Sequence, residues 1–152
     1  MPLSRPPLLR AVIAAAAMFQ TMLGLTPAAG TSRTLDDYKW EKRVLVIASE
    51  RSADALVTQL DYFSGEEAAM SDRHMVVIQI SDGRSIPLFG DDTAPPAGRM
   101  IEALEIDTAA PFTFLLIGKD GGVKLRETAP VPAQDIFDLI DAMPMRASEM
   151  GR

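Results

Sequence analysis

The sequence predicts an α/β domain, a three-layer sandwich whose mixed central sheet ends in a C-terminal β-hairpin and a helix. Three observations predict it. The runs VLVIA (residues 44–48), MVVIQI (75–80) and FTFLLI (112–117) are apolar at nearly every position and rich in branched side chains, as strands buried on both faces are. Between them apolar residues recur at helical spacing. After the third run, KDGG precedes the alternating segment VKLRE, which reads as a tight turn and a half-wet strand returning antiparallel.

Each element has its own warrant. After the polar lead-in TSRTLDDYKWEKR and the first strand, Ser52 is placed to cap a helix with Asp54 in its first turn. Leu56, Val57, Leu60 and Phe63 supply its apolar stripe up to Gly65. EEAAMSDR reads as an acidic linker to the second strand. SDGR is a turn, residues 86–89 a short apolar piece, and GDDTAPPAG a loop dense in turn formers. Met100, Ile101 and Leu104 support a short helix beyond Pro96. Pro132 opens the last long helix, whose stripe is Ile136, Leu139, Ile140 and Met143. Pro144 interrupts it, and a short turn over residues 146–150 follows. The order β-α-β-α-β-β-α, with a hairpin and one helix at the end, is that of a thioredoxin-like fold.

The first 30 residues carry a different signal. Arg5 and Arg10 precede an apolar run over residues 11–25, and Ala28, Ala29 and Gly30 follow it. Basic, apolar and small segments in that order predict a secretory signal peptide cut near Thr31. The run is too short, and too interrupted by Gln20 and Thr21, for a span of roughly 20 apolar residues. The expectation is therefore a leader over residues 1–30, one domain over 31–152, no membrane span after cleavage, and a periplasmic or secreted location. Without Arg5 and Arg10 the basic count falls from 15 to 13 against 21 acidic residues, a net charge of −8. Such a surface argues against nucleic acid as a partner.

The segments LDDYKWEKRVLVI, FLLIGKDGGVKLR and LIDAMPMRASEM resemble the P-DUDES domain family of unknown function. That family comprises single-domain secreted bacterial proteins and parts of vertebrate extracellular matrix proteins, and is related to the peroxiredoxin branch of thioredoxin-like folds. The resemblance implies fold and secretion, with no established activity.

Thioredoxin-like folds place their reactive thiol where the first strand meets the first helix, whose N-terminus stabilises a thiolate. Here that junction reads ASERSAD, and the chain has no cysteine. Ser49 and Ser52 have the spacing of a redox pair, but a hydroxyl forms neither a disulfide nor a sulfenic acid. Thiol-dependent oxidoreductase and peroxidase activities are thereby excluded, and no cofactor is expected. What the junction retains is the capacity to bind an anion or peptide through Ser49, Arg51 and Ser52, with Pro111 and Thr113 contributed by the facing loop DTAAPF. On that expectation Arg51→Glu loses the ligand.

Other constellations are weaker. The single histidine, His74, is a poor candidate for a general base. The carboxylate pairs at 36–37, 66–67 and 91–92 are sequence neighbours and do not converge. Met143, Met145, Met150 and Met75 beside His74 offer thioether and imidazole groups suited to copper, the alternative reading. Tyr38 and Trp40 read as aromatics packed over the sheet end. The reading reached is a cysteine-free, non-catalytic module for an unknown protein, peptide or small ligand.

Overall fold

The computed structural model describes residues 32–151; the expected leader, residues 1–30, and its cleavage point near Thr31 lie outside them. Five strands form one mixed sheet in the order β3-β2-β1-β4-β5. The central strand β1 (Arg43–Ser49) pairs in parallel with β2 (Met75–Ser81) and antiparallel with β4 (Phe112–Ile117). β3 (Arg84–Phe89) and β5 (Val123–Glu127) are the antiparallel edges.

Alternation along the inner strands sends side chains into two cores. Leu45, Ile47, Val77, Phe114 and Leu116 meet Leu56 and Phe63 of α1 (Asp54–Phe63) and Ile136, Phe137 and Ile140 of α4 (Ala133–Asp141). Val44, Val46, Ile78 and Leu115 meet Met100 of α3 (Ala97–Ala103), together with Leu104 and Tyr38. The sheet is thus sandwiched between helical layers, as the buried runs require.

Strands β4 and β5 and the last long helix coincide with their expected positions, and several other features differ. EEAAMSDR is not a linker: it holds α2 (Glu67–Asp72), which drives Met70 into the core. Residues 84–89 form a true strand joined to β2 through Asp82 (φ 52°) and Gly83 (φ 70°), the two left-handed residues of a tight hairpin. Ser52 is not the cap of α1, which starts from Ala53 without a side-chain cap bond. The buried face of α1 carries Leu56, Gln59 and Phe63, while Val57 and Leu60 face solvent. Gln59 tolerates full burial because its amide pairs with both backbone groups of Val131, donating to C=O at 2.9 Å and accepting from N–H at 2.8 Å.

The aromatic pair also divides. Tyr38 is buried and donates its hydroxyl to the Thr93 carbonyl at 3.2 Å. Trp40, at φ 68°, turns outward and is 67% exposed, because a 3-10 turn over Leu35–Tyr38 reverses the segment that alternation would have kept extended. The chain closes with α5 (Pro144–Met150).

Candidate functional site

The parallel strands β1 and β2 both end at one edge of the sheet, where α/β folds characteristically open a binding crevice. A cleft of about 400 Å³ lies there, lined by Ala48 and Ser49 of β1, Ile80 and Ser81 of β2, Ile101 of α3, and the loop from Ile106 to Pro111. The loop is held in shape locally. Asp107 accepts the Ala109 N–H on its carboxylate at 2.9 Å and the Ala110 N–H on its carbonyl at 3.2 Å. Arg126 reaches across from β5 to the carbonyls of Leu104 and Glu105, capping the end of α3.

The floor is apolar and the rim acidic, with Glu50, Asp82 and Asp107 all at the opening. Ser49 Oγ and Ser81 Oγ are buried at the strand ends without a hydrogen-bond partner among the described residues, as is Gln79 Nε2; alternation puts all three on the α1 and α4 face of the sheet, behind the cleft, whose floor of Ile80, Ile101 and Ile106 belongs to the α3 face. Such groups are costly to bury unpaired, and they are unusual when concentrated in one place.

The five residues singled out by sequence separate here. Ser49 and Pro111 line the one cleft although 62 positions apart. Arg51 lies outside the lining, exposed, with its Nε 3.5 Å from the Asp82 carboxylate. Ser52 is exposed in the turn before α1, and Thr113 is buried within β4 opposite Ala48. No peptide bond among the described residues is cis, so Pro111 follows a trans bond.

Residues 34–149 match the sequence pattern described as a domain of unknown function, DUF4174. The chain belongs to the DUF4174 family. Among solved structures, it resembles a DsbF homologue from Corynebacterium diphtheriae. The TM-score is 0.54 and the identity 18%, over 73% of this chain and 77% of that one. At that identity the likeness shows the fold, which is thioredoxin-like.

The opposite end of the DUF4174 sheet carries most of the buried charge. Arg43 at the start of β1 is 1% exposed; it donates to the Arg73 carbonyl at 2.8 Å and to the Glu149 carboxylate of α5 at 3.2 and 3.4 Å. Lys119, just beyond β4, lies 2.5 Å from Glu149 and 2.7 Å from His74 Nδ1. Desolvation works against the Glu149 carboxylate, but hydrogen bonds from Lys119 and Arg43 and their charges outweigh it and hold its pKa at about 2. Burial and the Lys119 charge push His74 down from its ordinary value, so the imidazole is neutral at neutral pH and its Nδ1 accepts from the ammonium. Next to them Asp141 receives Arg73 at 2.6 Å and Arg146 at 3.1 Å, and Arg146 also grips Asp72. Desolvation opposes the Asp141 charge, and these two guanidiniums still lower its pKa.

Sequence reading passed over this network because residues 146–150 read only as a short turn closing the chain. The available signal was Arg146 and Glu149 three positions apart on one helix face, with Arg43 and Lys119 each abutting a buried strand. The methionines are dispersed by comparison. Met75 is buried in the core, Met150 is exposed, and Met143 and Met145 line a pocket beside the charge network.

Proposed function

We propose that this DUF4174 domain is a non-catalytic binding module of the P-DUDES kind, exported as residues 31–152 and active in the periplasm or outside the cell. In this reading it holds a short extended peptide bearing a lysine or arginine next to an apolar residue. The observation that carries the reading is the cleft at the carboxyl ends of β1 and β2, which joins an apolar floor to three rim carboxylates. An apolar side chain fits against Ile80, Ile101 and Ile106, and a cationic one meets Glu50, Asp82 and Asp107. The acidic rim reverses the expectation of an anion held by Arg51, whose charge is already opposed by Asp82. Export is supported by the basic, apolar and small order of residues 1–30, and a cysteine-free chain is suited to binding without redox chemistry.

The test is amide NMR of the exported protein with short apolar peptides ending in lysine or in glutamate. The lysine peptide is expected to shift resonances of residues 48–50, 80–83 and 106–111, and the glutamate peptide to leave them unmoved. Arg51→Glu then strengthens lysine-peptide binding instead of abolishing it, and Ile101→Trp blocks it. Shifts from the glutamate peptide alone, or none with either, would overturn the proposal.

A further inference from the structure

About 20 Å away, at the other end of β1, lies a second cavity with the opposite electrical character. It has a volume of about 450 Å³ and opens between the hairpin turn at Gly118–Asp120 and the corner joining α4 to α5. Its walls include Leu139, Ala142, Met143 and Met145, and three cations, Arg43, Lys119 and Lys124, line it with one carboxylate, Asp120. The volume lies within the usual range for small-molecule sites, about 300–1,000 Å³.

Two independent observations indicate what chemistry the cavity lacks. The ionic cluster behind it contains four cations, Arg43, Arg73, Lys119 and Arg146, against three carboxylates, Asp72, Asp141 and Glu149. Lys124 does not alter that balance, since it pairs with Asp120 at 2.6 Å. With His74 neutral, one positive charge is left over in a largely buried cluster of an otherwise acidic protein. Furthermore, the Arg43 side chain, 1% exposed, has a buried Nε–H with no partner among the described residues, although both its terminal nitrogens are engaged. Burying a charge without its counter-ion is unfavourable, and an anion in the cavity offsets the surplus; the Arg43 Nε–H, itself shut off from the cavity, marks the guanidinium as under-coordinated.

We infer that this cavity is a binding site for a small anion with an apolar tail, a monocarboxylate in its simplest form. The carboxylate meets Arg43 with Lys119 and Lys124, and the tail lies along Leu139, Ala142, Met143 and Met145. A free inorganic anion would leave the apolar wall wet, and a neutral lipid would leave the surplus charge unanswered.

Octanoate is the probe, titrated into the exported full-length product by calorimetry and amide NMR, with 1-octanol and acetate as controls. Octanoate is expected to bind with one-to-one stoichiometry and to move resonances of residues 118–120 and 142–145, while octanol and acetate bind at least about tenfold more weakly. Because Arg43 substitution risks unfolding, the variants are Lys124→Glu at the rim and Ala142→Phe in the wall. The first weakens octanoate by about tenfold and the second abolishes binding, with thermal unfolding checked for each. Equal binding of octanol, undiminished binding to Ala142→Phe, or no binding of octanoate overturns the inference. None of these results bears on the cleft at the far end of β1, whose peptide shifts are read from different residues.

Discussion

Replacing Glu149 by glutamine removes one charge and almost no volume, so it isolates what the carboxylate contributes to the buried cluster. The folded protein holds this carboxyl at about 2, against an ordinary 4.5. At about 1.4 kcal/mol per tenfold change in proton affinity, that gap corresponds to roughly 3 kcal/mol of folding free energy. The side chain is only 16% exposed, so solvent screening removes little of it. Arg43 and Lys119 would be left buried and facing an amide, which agrees in size with the cost of breaking a buried ion pair, about 3–5 kcal/mol. For a domain of this length the loss lowers Tm by about 10 °C at neutral pH. The sign of the pH dependence is equally definite. A carboxyl depressed by folding stabilises fully above its unfolded value and loses that contribution as pH falls towards the folded one. The wild type should therefore converge on Glu149→Gln between about pH 5 and pH 2, while acid effects from Asp141 and Asp120 cancel because both proteins share them. Urea unfolding of the two proteins across this window is the measurement. A stability difference that is absent at neutral pH, or present but unchanged on acidification, would refute the account of Glu149 as a buried counter-ion.

Three further substitutions test the fold around the two sites. Gln59→Leu keeps the bulk but orphans the N–H and C=O of Val131; chemical denaturation should show a loss of about 2 kcal/mol. Gly90→Ala should cost at least about 2 kcal/mol by the same assay, because Gly90 has φ +79° and a Cβ there would press on the Met75 carbonyl. Val57→Lys, on the solvent side of α1, should change Tm by less than about 3 °C, since Leu56 and not Val57 carries the core contact.

What could be read from the sequence was what local pattern encodes. Unbroken apolar runs and the glycine-bearing KDGG turn identify β1, β2, β4 and β5, because burial on both faces and a left-handed turn residue leave direct marks. α2 leaves almost none: its six residues bury only Met70, and a turn and a half cannot establish a period. β3 was obscured by Pro87, a residue tolerated there because the strand is an edge. Gln59 displaced Val57 and Leu60 from the core because its partner, Val131, lies 72 residues away, and no local window contains both. The same limit governs the sites. Ser49 was legible from its place at the end of β1, and so was the loop reaching Pro111, but the acidity of the rim required Asp82 and Asp107 to arrive from separate turns.

The two ends of β1 then show how this domain divides its chemistry. In a thiol enzyme of this fold, the strand-to-helix junction must stabilise a charged sulfur. Here that end carries exposed rim carboxylates, Glu50, Asp82 and Asp107, and the exposed pair of Arg51 with Asp82 contributes at most about 1 kcal/mol. The strongly coupled charges sit instead at the amino end of β1, where Arg43, Lys119 and Glu149 tie α5 to the sheet. Substitutions of the exposed rim residues Glu50, Asp82 and Asp107 should therefore have little effect on folding, whereas Ile80 and Ile106 of the floor are core residues. Substitutions in the Arg43 cluster act on folding directly, and the tail that carries Glu149 is as much a part of the folded core as the strands it closes.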